Sequence, residues 1–248
     1  MTILLDLVYL LAALVLSPMV LYRTIRHHRY RSGWAQRFGF VKRRRPEQKC
    51  IWLHGVSMGE INAAQTVIAE LNRQCPEYEI VISATTDTGF ARAQALYGQD
   101  YAVFYYPLDV SFFVRRAFDS LQPTLCLLME LEVWPNFLKT AQRLATPVVV
   151  VNGRISDKSF PSYKRAKRLL RGTFSRVSLV LAQTQTYAER FTYLGCATDK
   201  VLVTGSIKYD TAQICERIVG ADTLAQELQL NEARLWVAGG TGTDEEGI

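Results

Sequence analysis

Ile51-Trp52-Leu53-His54-Gly55-Val56-Ser57-Met58-Gly59-Glu60 runs from an apolar strand through a turn of small residues to a carboxylate where a helix begins. An open α/β sheet presents its chemistry in this order, because the carboxyl end of a strand and the amino end of the next helix meet at one edge. Gly55, Ser57 and Gly59 let backbone amides approach a substrate, and Glu60 sits at the positive end of the helix. Two readings of Glu60 stand at this point: a poised base, or a first-turn acid that complements the helix dipole.

The same alternation continues outward. Apolar runs fall at about 50–56, 79–85, 101–107, 124–130, 147–151, 178–182 and 200–204, with helical periodicity in most of the gaps. Gly59 to Gln74 reads as an amphipathic helix through Ile61, Ala64, Val67, Ile68 and Leu71. Val110–Leu121 and Phe137–Leu144 read likewise, stopped before Pro123 and Pro147. Strand-helix-strand repetition predicts an α/β domain over residues 50–208, with a parallel sheet covered on both faces. Residues 209–234 read as linker helices. Leu235-Trp236-Val237-Ala238, Gly239-Gly240-Thr241-Gly242-Thr243 and Asp244-Glu245-Glu246 then read as strand, turn and helix start. Residues 235–248 are thus expected to open a second domain that is largely missing, as in a truncated product.

With 248 residues, 49% of them hydrophobic and 21% charged, the chain can bury one large core plus flanking pieces. Its five cysteines form no C-x-x-C pair, which argues against a zinc site or disulfide scaffold and for a reducing compartment. The net charge of +6 is local, because nine Arg and Lys residues lie between positions 23 and 45 without one acid. The rest of the chain holds 20 basic and 23 acidic residues. This collar over residues 23–49 follows an apolar run from Thr2 to Tyr22, broken by Asp6, Ser17 and Pro18. The expectation is a membrane-anchor helix over residues 1–22 with a cytoplasmic basic flank that meets anionic lipid. A charged Asp6 in the hydrocarbon would cost roughly 3 kcal/mol, far less near the membrane edge. No cleavage site follows the run, so a removed signal peptide is not expected. No second basic patch supports nucleic-acid binding.

Glu60, Glu130 and Lys208 each fall at or just beyond a predicted carboxyl strand end. A carboxylate that ends a run as apolar as Leu125–Met129 needs a partner, either in a site or in a structural pair. Glu132 forms an E-x-E pair with Glu130, but no D-x-D or histidine ligand supports a metal there, and none is expected. His54 is a general base by position or a hydrogen-bonded core residue by surroundings. Asn152 and Arg154 follow another strand, where they would hold hydroxyls or phosphate, or simply make the turn.

Four motifs in register resemble the 3-deoxy-D-manno-octulosonic acid (Kdo) transferases. They are Trp52 to Glu60, Met129-Glu130-Leu131-Glu132-Val133-Trp134-Pro135-Asn136, Asn152-Gly153-Arg154-Ile155-Ser156 and Gly205-Ser206-Ile207-Lys208-Tyr209-Asp210. The resemblance implies a GT-B type glycosyltransferase of the inner membrane, facing the cytoplasm, built of two Rossmann-like domains. It implies inverting transfer of Kdo from the donor CMP-Kdo to the lipid A precursor, without metal or cofactor. By the same resemblance this chain matches the acceptor-binding domain, while the nucleotide-sugar motifs lie largely beyond Ile248. Glu60 would be the proton acceptor, and Glu130 and Lys208 would stabilise the transition state. Ser57, Gly59, Asn152 and Arg154 would line the substrate. Where the family's second domain opens Ala-Gly-Ser-Thr-His, this chain reads Ala238-Gly239-Gly240-Thr241-Gly242. The 248 residues alone are therefore expected to transfer little. Two rivals are a GT-B enzyme that moves a UDP-linked sugar to a lipid and a non-catalytic, membrane-bound acceptor-binding fragment. Nothing in the sequence sets the oligomeric state.

Overall fold

The computed structural model describes residues 2–27, 32–210 and 220–230. Chain contacts divide it into two units, residues 1–211 and residues 212–248. In the first unit seven strands form one sheet: β1 (Lys49–Gly55), β2 (Tyr78–Ala84), β3 (Ala102–Tyr105), β4 (Pro123–Met129), β5 (Val148–Gly153), β6 (Leu179–Ala182) and β7 (Val201–Val203). Their order is β3-β2-β1-β4-β5-β6-β7, and every neighbouring pair is parallel. Each expected strand is present, although β3 stops at Tyr105, short of Pro107, which has no N–H to offer the ladder.

Strand β1 pairs with β2 on one side and β4 on the other, so the strand order reverses between β1 and β4. The crevice beyond their carboxyl ends is where such sheets take ligands. The helices of this unit are α1 (Thr2–His27), α2 (Trp34–Arg37), α3 (Met58–Gln74), α4 (Asp87–Tyr97), α5 (Ser111–Leu121), α6 (Pro135–Arg143), α7 (Phe160–Arg165), α8 (Lys167–Phe174) and α9 (Gln185–Leu194). In the second unit α10 (Ala221–Glu227) is the described element. Of the linker helices expected over 209–234, residues 211–219 and 231–234 lie outside the described residues. So does the start of a second domain expected over 235–248.

Side chains alternate across the sheet with the two-residue period of a strand. Cys50 and Trp52 of β1 and Cys126 and Leu128 of β4 face one core, with Phe118 of α5, Phe137 of α6 and Phe191 of α9. Ile51, Leu53, Leu127 and Met129 face the other, with Ile61 and Ile68 of α3 and Tyr97 of α4. Both faces are covered, which is why β1 and β4 read as nearly continuous apolar runs. Trp52 is fully buried among Phe104, Phe118 and Phe137, and its indole N–H donates to Ser83 Oγ at 2.8 Å.

Helix α1 corrects the membrane-anchor expectation. Residues Thr2–His27 are helical, but among the described residues no helix is long and apolar enough to cross a membrane. The polar groups of its amino-terminal part turn towards the α/β domain. Asp6 accepts from the Ser111 amide at 3.0 Å, from the Ser111 hydroxyl and from Asn136 Nδ2 at 2.9 Å. Tyr9 donates to Asp109 Oδ2 at 3.1 Å. Asp109 in turn accepts from the Asn136 and Phe137 amides at 3.0 and 2.9 Å, and so caps α6, whose own N-cap residue Trp134 makes no side-chain cap. Burial lifts the Asp109 carboxyl to about 7. Asp6, read in the sequence as a cost to insertion, instead helps to seat α1 on the amino ends of α5 and α6. Leu7, Leu10, Leu11, Leu14 and Val15 remain exposed along the same helix.

Part of the basic collar is also spent inside the domain. Arg37 donates to the Thr85 carbonyl at 3.1 Å and lies over the Tyr105 ring. Arg43 pairs with Glu79 at 2.8 Å, both side chains 5% exposed. Arg44 donates to the carbonyls of Gly98 and Gln99 at the end of α4. These charges hold the segment ahead of β1 to the sheet.

Candidate active site

Glu60 enters the crevice from the first turn of α3. Ser57 is the N-cap of that helix, and its Oγ accepts from the Glu60 amide at 3.4 Å. The Glu60 carboxylate reaches back, accepting from the Val56 amide at 2.9 Å through Oε2 and from Ser57 Oγ at 2.9 Å through Oε1. This reciprocal arrangement is a variant of the capping box in which the carboxylate takes the amide of Val56, one residue ahead of the N-cap. The helix-start reading of Glu60 and the base reading therefore coexist, since each carboxylate oxygen keeps lone-pair capacity for a further donor. Partial burial raises its proton affinity, the two hydrogen bonds oppose that, and the charge of Glu130 adds to it.

The turn itself is clamped. Thr86, the N-cap of α4, donates to the Val56 carbonyl through its amide at 3.2 Å and its hydroxyl at 2.8 Å. Gly89 makes that approach possible, because a Cβ there would stand 2.5 Å from the Val56 oxygen. Gly59 is exposed in the first turn of α3, where amides have no intrahelical partner.

Glu130 follows β4 with φ 53, and Asn152, the last residue but one of β5, has φ 58. At the carboxyl ends of two neighbouring strands the backbone thus enters the left-handed region, which costs non-glycine residues energy and tends to cluster where a side chain must be aimed. The Glu130 amide donates to the Val151 carbonyl at 2.9 Å, and its own carbonyl accepts from the Arg154 amide at 3.4 Å. Arg154 is exposed, and hydrogen bonding to Tyr187 and the charge of Glu130 deepen its preference for the protonated form. Asn152 is buried, and its Oδ1 accepts from the Ile207 amide at 3.2 Å. Lys208, the next residue, is exposed in the short 3-10 turn Ile207–Tyr209 beyond β7.

Glu132 joins the same electrostatic neighbourhood. Burial and the charges of Glu60 and Glu130 push its carboxyl up to about 7, while the Trp134 indole N–H donates to it at 2.8 Å. His54 lies 3.9 Å away through Nε2, stacked on Tyr106 at a centroid distance of 3.9 Å. His54 is fully buried, and its Nδ1 is 3.1 Å from the Ser83 carbonyl. Burial lowers its pKa to about 3, so it stays neutral at physiological pH and is a weak base there. Its surroundings are those of the hydrogen-bonded core histidine. Tyr106, Tyr187 and Ser83, which surround these groups, carried no signal in the sequence, because their contacts join separate strands. Among the described residues no three His, Cys, Asp or Glu side chains come together to hold a metal.

The arrangement places Glu60 and Glu132, both of raised proton affinity, at the reversal of strand order, with Arg154 just past the end of β5 and Lys208 in the turn beyond β7. It can take a proton from a hydroxyl at one point and meet negative charge at another. The sequence model described as 3-deoxy-D-manno-octulosonic-acid transferase matches residues 32–211. A 3-deoxy-D-manno-octulosonic acid transferase of Haemophilus influenzae is 32% identical over 240 residues, covering 95% of this chain and 56% of that protein. One from Chlamydia muridarum is 31% identical over 203 residues, covering 81% and 47%. The chain spans about half the length of the curated relatives it matches. Among solved structures, a UDP-N-acetylglucosamine 2-epimerase is 13% identical with a TM-score of 0.51, covering 71% of this chain and 52% of that one. The Anabaena protein HepE in complex with UDP-glucose is 16% identical with a TM-score of 0.50, covering 73% and 50%. These two likenesses concern the fold.

Proposed function

The chain belongs to the 3-deoxy-D-manno-octulosonic acid transferase family, and we propose that its α/β domain is the acceptor half of a GT-B enzyme moving Kdo from CMP-Kdo to the lipid A precursor. Membership supports a glycosyltransferase role in lipopolysaccharide biosynthesis. The observation that carries the finer reading is the seat of Glu60, desolvated, aimed by its capping box and placed at the strand-order reversal.

In this mechanism an acceptor hydroxyl attacks the anomeric carbon of Kdo from the face opposite CMP. Glu60 takes the hydroxyl proton as the new C–O bond forms, CMP departs with the electrons of the old bond, and the centre inverts. Lys208 neutralises charge growing on the departing phosphate. Glu130 balances positive charge at the sugar ring or orients Lys208, and Ser57, Gly59 and Arg154 line the acceptor. In a GT-B enzyme the donor site belongs to a second domain. No cofactor is invoked. The exposed apolar side chains of α1 rest in the membrane interface, on the cytoplasmic side of the inner membrane.

Donor choice tests the reading. An enzyme that carries this domain with its donor-binding domain is expected to glycosylate the lipid A precursor with CMP-Kdo and not with UDP-sugars. Transfer from a UDP-sugar and none from CMP-Kdo would replace Kdo transfer with the rival GT-B lipid glycosyltransferase.

A further inference from the structure

We infer that Glu132 is a positioning residue for the base: a carboxylic acid that keeps its proton while Glu60 is ionised, so that the two side chains hold a single negative charge and Glu60 carries it. This rests on the reading of Glu60 as the base.

The surroundings of one oxygen carry the argument. Glu132 Oε2 lies between the Trp134 indole N–H, which donates to it at 2.8 Å, and His54 Nε2 at 3.9 Å. What His54 presents there follows from its other nitrogen. Nδ1 stands 3.1 Å from the Ser83 carbonyl, which can only accept, so the ring hydrogen is on Nδ1 and Nε2 is a bare lone pair. A carboxylate oxygen would meet that lone pair with one of its own. A hydroxyl oxygen accepts from the indole and donates towards Nε2 at once. Oε2 is therefore placed as the hydroxyl of a carboxylic acid, on a side chain that is 19% exposed in a loop packed on the core through Leu131, Val133 and Trp134.

Glu60 is placed the other way. Both of its oxygens face donors, the Val56 amide and the Ser57 hydroxyl, each at 2.9 Å, and such bonds favour the ionised form. The two acids share one end of the sheet. Gly55 follows His54, and a Cβ on it would stand 3.3 Å from Glu60 Cβ and 3.6 Å from Met129 Cγ, at the end of the strand that leads to Glu130 and Glu132. Neighbouring carboxyls do not both ionise readily, and their unequal surroundings decide which one does. The titratable groups that bear on Glu132 are Glu60 from α3, Glu130 in its own loop, His54 of β1, Tyr106 beyond β3 and Tyr163 of α7. None of these supplies a positive charge at neutral pH, His54 being held neutral by burial. Burial, with the charges of Glu60 and Glu130, accordingly brings the titration of Glu132 to about 7. Its ionisation would set a second charge beside Glu60, in a crevice that has to admit an anionic sugar nucleotide.

The test follows the glutamate carboxyls of the 13C-labelled 248-residue chain by NMR through a pH titration. One signal is expected to titrate at about pH 7 and to be missing from Glu132→Gln. In Glu60→Gln, which removes the neighbouring charge, that signal should titrate at a roughly tenfold higher proton concentration. A folded parent in which every glutamate titrates in the ordinary carboxylate range would overturn the proposal even if a variant fails to fold. So would a Glu132 signal that a folded Glu60→Gln chain leaves unmoved. In an enzyme that carries this domain with its donor-binding domain, KM for CMP-Kdo should rise as Glu132 ionises, and Glu132→Gln should flatten that rise while the acidic limb of kcat remains. An equal rise in both enzymes would also overturn it. Near-parental transfer by Glu60→Gln would instead remove the base reading and leave the titration result standing.

Discussion

Glu60→Gln is expected to lower Kdo transfer by roughly 10²- to 10⁴-fold, the range a positioned general base contributes, in an enzyme that carries this domain with its donor-binding domain. The substitution separates the two jobs of the residue. Glutamine also completes a capping box, so a side-chain carbonyl can still accept from the Val56 amide while the amide group donates to Ser57 Oγ. The helix start survives, and thermal stability should change little. What is lost is the proton-accepting charge. The pH profile carries the same signature. Desolvation, with Glu130 adding to it, raises the proton affinity of Glu60 above the ordinary carboxylate value. Only the ionised form is a base, so the acidic limb of the rate profile should lie above that value and vanish in Glu60→Gln. Near-parental transfer by the folded variant would make Glu60 a capping residue and nothing more.

The second large effect is on stability. Glu79→Ala should destabilise the 248-residue chain by about 3–5 kcal/mol, the cost of leaving one member of a buried ion pair uncompensated. Glu79 accepts from Arg43 Nε at 2.8 Å and from the Arg44 amide at 2.6 Å. Arg43 also donates to the carbonyls of Leu121 and Arg45 at 3.2 and 2.9 Å, and to that of Gln48. With Glu79 gone, the guanidinium stays among carbonyls at 5% exposure without its counter-charge. A double variant, Arg43→Met with Glu79→Leu, should recover much of the loss, because a packed apolar pair avoids the desolvation of both ions. Urea unfolding followed by tryptophan fluorescence measures all three chains. A Glu79→Ala midpoint equal to the parent's would show that the pair contributes nothing.

The sheet was legible because its evidence is local. Strands β1 and β4 are covered on both faces and read as unbroken apolar runs, and the spacing of Ile61, Ala64, Val67, Ile68 and Leu71 reads as the core-facing side of α3. Glu60, Glu130 and Lys208 were picked out as charges at strand ends, a pattern that needs no knowledge of partners. What stayed hidden depends on distant pairing. Asp6 meets Ser111 and Asn136, 105 and 130 residues on, and nothing around Asp6 announces that. It therefore read as a blemish in a membrane anchor. Arg37, Arg43 and Arg44 read as part of one lipid-facing collar, whereas their partners lie in the α/β domain. The amide of Asn152 read as a hydroxyl binder or a turn former, and only the parallel arrangement of β5, β6 and β7 brings Ile207 to it.

Binding by the 248-residue chain tests most directly whether this domain is the acceptor half of a Kdo transferase. Titrated separately with the lipid A precursor and with CMP-Kdo, the chain should bind the precursor, Glu60→Gln should bind it equally well, and CMP-Kdo should give no saturable signal. Saturable binding of CMP-Kdo with none of the lipid A precursor would contradict it.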